Sequence, residues 1–218
     1  MASPPVIVTE FHLIKGDRAS DENPRQTADA MTVDAAPSLV KTRYFLALIP
    51  PPAIQSEATA LKQYFSQHYR SQAALKSPPH ITLQAPFEWV KADRDRLIKT
   101  LAQFRSTISE VPVELSGFGA FPPRVIYLAV NHTPALMQLQ ATLSQYIARE
   151  LQIIDQRARD RPFQPHLTVA FRDLKPAAFR KAWSEFEHKP AAYIFIATSF
   201  TLLRHTGRKW IVDQAFVL

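Results

Sequence analysis

The chain has 218 residues, 46% of them hydrophobic and 21% charged, which suits one soluble domain or two small lobes sharing a core. It has no cysteine, so disulfides and thiolate metal sites are excluded, and no run approaches the roughly 18 apolar residues of a membrane span. The net charge of +7 is uneven: the first 40 residues sum to −3, leaving +10 on the rest, which fits either an anionic partner such as nucleic acid or phosphate, or a solvated basic surface.

Residues 1–42 read as an extension. Their Ser-, Asp- and Ala-rich text lacks apolar periodicity, so a mobile or loosely attached arm is expected, with "PPVIVTEFHLI" able to form a short strand. The start lacks the charged-then-apolar layout of a secretory signal, and a cytoplasmic protein is expected.

Regular patterning begins at Arg43. "RYFLALI" (43–49) predicts a buried strand stopped by three prolines, and residues 53–70 a helix with Ile54, Ala58, Leu61 and Phe65 inward. "HITLQAPF" (80–87) predicts a strand, and 92–107 a helix carrying Leu97, Leu101 and Phe104. Strands follow near 111–118 and 124–130, around "GFGAFPPR", then a helix over 133–151. "HLTVAF" (166–171) predicts another strand and 176–188 another helix. "AYIFIATSFTLLRH" and "KWIVDQAFVL" predict a closing hairpin turning at Thr206-Gly207, with Tyr193, Phe195 and Phe200 in the core. Helices and strands without a glycine-rich nucleotide loop give an α+β class, with helices packed on antiparallel-rich sheets.

One motif occurs twice. Residues 79–83 read Pro-His-Ile-Thr-Leu and residues 165–169 read Pro-His-Leu-Thr-Val, with the histidines 86 positions apart. Along a strand, residues two apart share a face. His80 and Thr82 therefore face one way, as do His166 and Thr168, while Ile81, Leu83, Leu167 and Val169 turn toward the core. A motif repeated in each half predicts an internal duplication: two lobes related by an approximate twofold axis, bringing the motif strands face to face. His12, His68, His132, His188 and His205 lack the pattern and read as ordinary histidines.

Two facing imidazoles suit phosphodiester cleavage. In-line attack needs a base on the incoming oxygen and an acid on the departing one. Histidine titrates near neutrality and fills either role. Threonine hydroxyls beside the rings can donate hydrogen bonds to the charged phosphate oxygens. A metal held by His80 and His166 is the rival, but the motifs carry no third ligand. Two packed histidines capping strands is the structural alternative. A serine hydrolase fails for want of Gly-x-Ser-x-Gly, and a P-loop for want of its glycine-lysine signature.

The twin motif, with "RYFLALIPPP", "GFGAFPPRVIYLAV" and "RPFQPHLTVAF", resembles the two-histidine phosphoesterase superfamily over residues 42–218. Its members include the 2′-5′ RNA ligase-like proteins, described as RNA 2′,3′-cyclic phosphodiesterases. The resemblance implies a two-lobed α+β fold around a central cleft with helices outside, in a domain of residues 43–218. It implies His80 as proton donor to the leaving ribose oxygen and His166 as proton acceptor from water. Thr82 and Thr168 would hold the phosphate. The implied reaction is metal- and cofactor-independent opening of a 2′,3′-cyclic phosphate to a 2′-phosphomonoester, on RNA ends or small nucleotides, with 2′-5′ ligation as the reverse. A non-catalytic binder of RNA ends or nucleotides with the same fold is the alternative, and an interaction protein using the acidic arm is a third.

This sequence departs from the family pattern after the second motif. Many RNA ligase-like members carry arginine directly there; here Ala170-Phe171 intervenes and Arg172 lies one step later, a shift that changes face in a strand. Phe121, stacking on a base, and Arg124, meeting phosphate, are further substrate-binding candidates beside Arg172. "RARDR" (157–161) reads as a basic rim or a solvated loop, as do Arg204, Arg208 and Lys209 at the hairpin turn. No membrane association is expected, and a monomer is favoured.

Overall fold

The computed structural model describes residues 40–155 and 162–218. The arm of residues 1–39 and the "RARDR" segment lie outside the described residues.

The first half of the fold follows from its punctuation. β1 (Lys41–Leu48) runs into the prolines, and Pro52 opens α1 (Pro52–Tyr69), where its missing N–H costs nothing and its φ is preset. Arg70 closes the helix in the left-handed conformation, φ 57°, and the N–H of the following Ser71 donates to the carbonyl of Phe65. A 3-10 turn (Ala73–Lys76) leads to the first motif, β2 (Ile81–Val90), and then α2 (Arg94–Gln103). The helix predicted over 92–107 ends at Gln103, though Phe104 is still buried.

The second half repeats this text after β3 (Val111–Phe121). β4 (Val125–Val130) is followed by α3 (Pro134–Leu151), β5 (His166–Ala170) and α4 (Pro176–Phe186). α1 and α3 begin 82 positions apart, have 18 residues each, open on proline and close on a left-handed residue, Gln152 matching Arg70. Three strands complete the chain: β6 (Ala192–Ala197), β7 (Ser199–His205) and β8 (Trp210–Val217).

All eight strands form one curled sheet in the order β6-β3-β4-β5-β2-β1-β7-β8, every neighbouring pair antiparallel. Two expectations change here. The motif strands do not meet face to face. They lie side by side at the centre of the sheet, joined through Ile81 and Leu167. Nor do residues 192–205 form one arm of a hairpin. The run splits at Thr198: β6 pairs with β3 in one half, while β7 pairs with β1 and β8 in the other. A uniform apolar run gives no sign of such a change of partner.

Each helix interlocks with the opposite half. α1 packs on β5 and α4, and α3 on β2 and α2. Equivalent tyrosines tie them: Tyr64 donates to Glu185 of α4 at 2.8 Å, and Tyr146 to the Thr100 carbonyl of α2 at 2.8 Å. Fully buried Leu46, Leu48, Phe65, Leu128, Leu139 and Leu167 belong to one continuous core, each contributing roughly 1.5–3 kcal/mol by leaving water. The two halves therefore share one core, as the sequence reading allowed.

Candidate active site

Ile81 and Leu167 sit opposite one another in antiparallel register. Continuing that register places Thr168 across from His80 and His166 across from Thr82. The two histidines are then diagonal neighbours, about 7–8 Å apart at the backbone, a span that one phosphate fits. Ile81, Leu83, Leu167 and Val169 are buried toward the helices, so the His and Thr side chains share the other face. All four of the latter are partly exposed. Neither threonine hydroxyl has a hydrogen-bond partner among the described residues.

The rings are held alike. His80 Nδ1 lies 2.7 Å from the carbonyl oxygen of Pro78, and His166 Nδ1 lies 2.7 Å from that of Gln164, each two residues back. A carbonyl only accepts, so each Nδ1 carries its hydrogen and donates it. Nε2 is then the nitrogen left to exchange protons. Each ring also rests on an aromatic from the neighbouring strand. Phe45 lies 4.7 Å from His80, and Tyr127, the equivalent residue 82 positions on, lies 5.1 Å from His166. A second aromatic backs each first one: Trp210 against Phe45, and Phe121 against Tyr127. Gly119 pairs with Tyr127 across the sheet, and a Cβ there would come within 2.3 Å of the tyrosine ring. Glycine is what lets Tyr127 lie under His166.

Burial of its ring pushes His80 down to about 4, against the opposing pull of its bond to Pro78; the nearby Lys62 and His166 push it further the same way. Burial also pushes His166 down, again opposed by its carbonyl bond. Both rings therefore favour the neutral form in the ligand-free protein.

The loop before His80 is fixed from the other half. Asp173, just beyond β5, accepts hydrogen bonds from Ser71 Oγ at 2.9 Å and from the backbone N–H groups of Gln72 at 2.6 Å and Ala73 at 2.8 Å. The Ser71 hydroxyl in turn accepts from the Phe171 N–H. Lys62, 2% exposed on α1, donates to the carbonyl of Ser77 at 3.0 Å.

Of the other predicted residues, Phe121 stands at the site, edge-on to His166 with ring centres 5.0 Å apart and 39% exposed. It lines, with Thr82 and His166, a cavity of about 610 Å³ that continues along α3 past Gln140 and Ser144. Arg124 is exposed in the β3–β4 turn. Arg172 lies past the end of β5, its guanidinium over the ring of Phe171 at 4.9 Å. Neither arginine contacts the motif side chains. Sequence reasoning passed over Lys62, Phe45, Tyr127 and Trp210. Lys62 had a visible signal, because it falls on the inward face of α1 beside Ala58 and Phe65. No group of three or more His, Asp or Glu side chains among the described residues is placed to share a metal ion.

The profile of the 2′-5′ RNA ligase superfamily matches residues 50–209. The chain belongs to that superfamily. Among curated relatives of this superfamily member, a Bacillus cytotoxicus protein named "Putative phosphoesterase" is 31% identical over 177 residues, covering 79% of this chain and 95% of its own. One of the same name from Geobacillus kaustophilus is 27% identical over 180 residues, covering 81% and 96%. In three dimensions the chain is similar to E. coli LigT complexed with 3′-AMP, with a TM-score of 0.61 and 23% identity over 82% of this chain and 99% of that one. The superfamily fold is thus spanned nearly whole. No helix among the described residues is long and apolar enough to cross a membrane.

Proposed function

We propose that this superfamily member is a metal-independent phosphodiesterase that opens 2′,3′-cyclic phosphates at RNA ends or on small nucleotides, leaving a 2′-phosphomonoester. The observation that carries this reading is the matched pair of imidazoles, each tied through Nδ1 to a backbone carbonyl and each beside an unpartnered threonine hydroxyl. Water attacks phosphorus in line with the 3′-oxygen. His166 Nε2 accepts the water's proton, and His80 Nε2–H gives a proton to the departing 3′-oxygen. The Thr82 and Thr168 hydroxyls donate to the non-bridging oxygens, where charge builds in the transition state. Phe121 offers its exposed face to a base. The 3′-AMP in the LigT complex supports a nucleotide as the ligand class.

The test is turnover of 2′,3′-cyclic nucleotides in the presence of chelator, followed by phosphorus NMR. A 2′-phosphate should accumulate, and His80→Ala and His166→Ala should each slow it by at least about 10². Undiminished turnover in both variants would refute the mechanism. One observation favours the binder alternative: burial keeps both rings toward neutrality, so the free site holds little acid. Saturable nucleotide binding with no product from any cyclic substrate would select it.

A further inference from the structure

A second pocket, of about 270 Å³, lies against the Ser77–Pro79 segment that leads into His80. Lys62, Lys76 and Lys209 line it, together with Ser77, Pro78 and Trp210. No acidic residue lines it. Lys76 and Lys209 are exposed at its mouth, whereas Lys62 is 2% exposed.

Lys62 is the telling residue. Its ammonium has three hydrogens and gives one to Ser77. It has no carboxylate partner among the described residues. Burial alone accordingly pushes it down to about 8. A buried charge is ordinarily paired, because removing it from water without a counter-ion is costly. The pseudo-twofold sharpens the point. The position equivalent to Lys62 on α3 is Ser144, a small neutral residue that accepts from Gln140. The equivalent position in the other half therefore does without a cation.

We propose that this pocket is a second phosphate subsite, in which Lys62, Lys76 and Lys209 hold the phosphate adjoining the one between His80 and His166. This rests on the reading above that the histidine site takes a nucleotide phosphate, and it deepens that reading. The favoured substrate carries at least two phosphates, as an oligonucleotide ending in a cyclic phosphate does and a cyclic mononucleoside does not. The two sites share a wall. Pro78 lines the pocket, and its carbonyl orients the His80 ring. An anion there gives the Lys62 ammonium the counter-ion it lacks. Trp210 supplies an apolar flank between that anion and Phe45.

The experiment has two arms on the full chain. In the first, kcat/KM is compared for a cyclic mononucleotide and for a dinucleotide with the same cyclic end. The dinucleotide should be favoured, and Lys76→Ala/Lys209→Ala should shrink that preference at least about tenfold, as loss of charge-assisted contacts does. In the second, inorganic phosphate is titrated while NMR follows the Trp210 indole N–H and the Ser77 amide. Saturable shifts that the double variant abolishes are expected. Shifts confined to His80 and His166, or a substrate preference unchanged in the double variant, would overturn the proposal. If neither substrate turns over, the phosphodiesterase reading fails, and the phosphate titration decides the subsite alone.

Discussion

At pH 7 a histidine of pKa about 4 is protonated in about one molecule in a thousand, so His80 in the free protein is a poor store of the proton that its proposed role requires. The substrate changes this. A phosphate monoanion about 4 Å from the ring, at an effective dielectric near 20, favours the imidazolium by about 4 kcal/mol, or about three pKa units. That returns His80 to near neutrality, with the proton arriving as the substrate binds. The perturbation to apply is therefore ligand, and the assay is the titration of the His80 ring by ¹H–¹³C NMR with and without a nucleoside 2′-phosphate. Without ligand, His80 should titrate near 4 and His166 below its ordinary 6.5. With ligand both midpoints should rise, His80 by about three units by the same Coulomb argument. A linked stability effect has a definite sign. The folded state binds the proton less well than the unfolded chain. The stability tied to neutral His80 is therefore present above about pH 6.5 and lost as pH falls toward 4, by at most about 3 kcal/mol and by less for a partly exposed ring. A His80 midpoint near 6.5 in the free protein, or one that ligand leaves unmoved, would refute the reasoning.

Other outcomes follow from single contacts. Gly119→Ala should destabilise the fold by about 1–3 kcal/mol in thermal or urea unfolding, because the new methyl meets the Tyr127 ring, and it should lower turnover by displacing that ring from His166. Asp173→Ala leaves the Ser71 hydroxyl and two amides without their acceptor, and urea unfolding should report a loss of about 1–3 kcal/mol. Lys62→Met removes a cation near His80, so the ligand-free His80 midpoint should move upward in the same NMR titration, whereas Lys62→Arg should leave it low. Lys189, Tyr69 and Tyr64 hydrogen-bond Glu185 and hold its carboxyl down to about 2, so it stabilises above about pH 4.5 and loses that effect as pH falls toward 2; Glu185→Gln should flatten that part of an acid-unfolding curve.

The sequence carried the site better than the sheet. His-x-Thr on a strand is legible because the period of two puts both side chains on one face, and its repetition marks two halves. Helix starts were legible near Pro52, Pro134 and Pro176, because proline fits the first helical turn, where its missing N–H costs nothing. Strand order was not. "AYIFIATSFTLLRH" is apolar throughout, and only the curl of the sheet reveals that its halves pair with different partners on either side of Thr198. The aromatic supports Phe45 and Tyr127 were hidden for a related reason. Each belongs to a strand buried on both faces, where alternation vanishes and every position reads as core. Arg172 shows the reverse case: the one-step displacement after the motif was legible, and the side chain is found stacked on Phe171.

The duplication poses a chemical problem that symmetry cannot solve. In the proposed mechanism acid and base must differ, yet each ring has an equivalent carbonyl partner at the same distance and an aromatic below it. The difference must come from positions where the halves diverge. At two such pairs one half carries an ionisable side chain where the other carries none. Phe45 faces Tyr127 across the pseudo-twofold, but burial pushes the Tyr127 hydroxyl up, so both are neutral at pH 7 and neither separates the rings electrostatically. Lys62 faces Ser144, and here one half holds a buried cation that the other lacks. The cation opposes protonation of His80 while the site is empty. An anion seated beside the lysine cancels that opposition for His80 alone. In the proposed mechanism the proton then reaches the ring assigned to the leaving oxygen when substrate phosphate is in place, and Lys62 adds to the burial of His80 in making the two rings unequal.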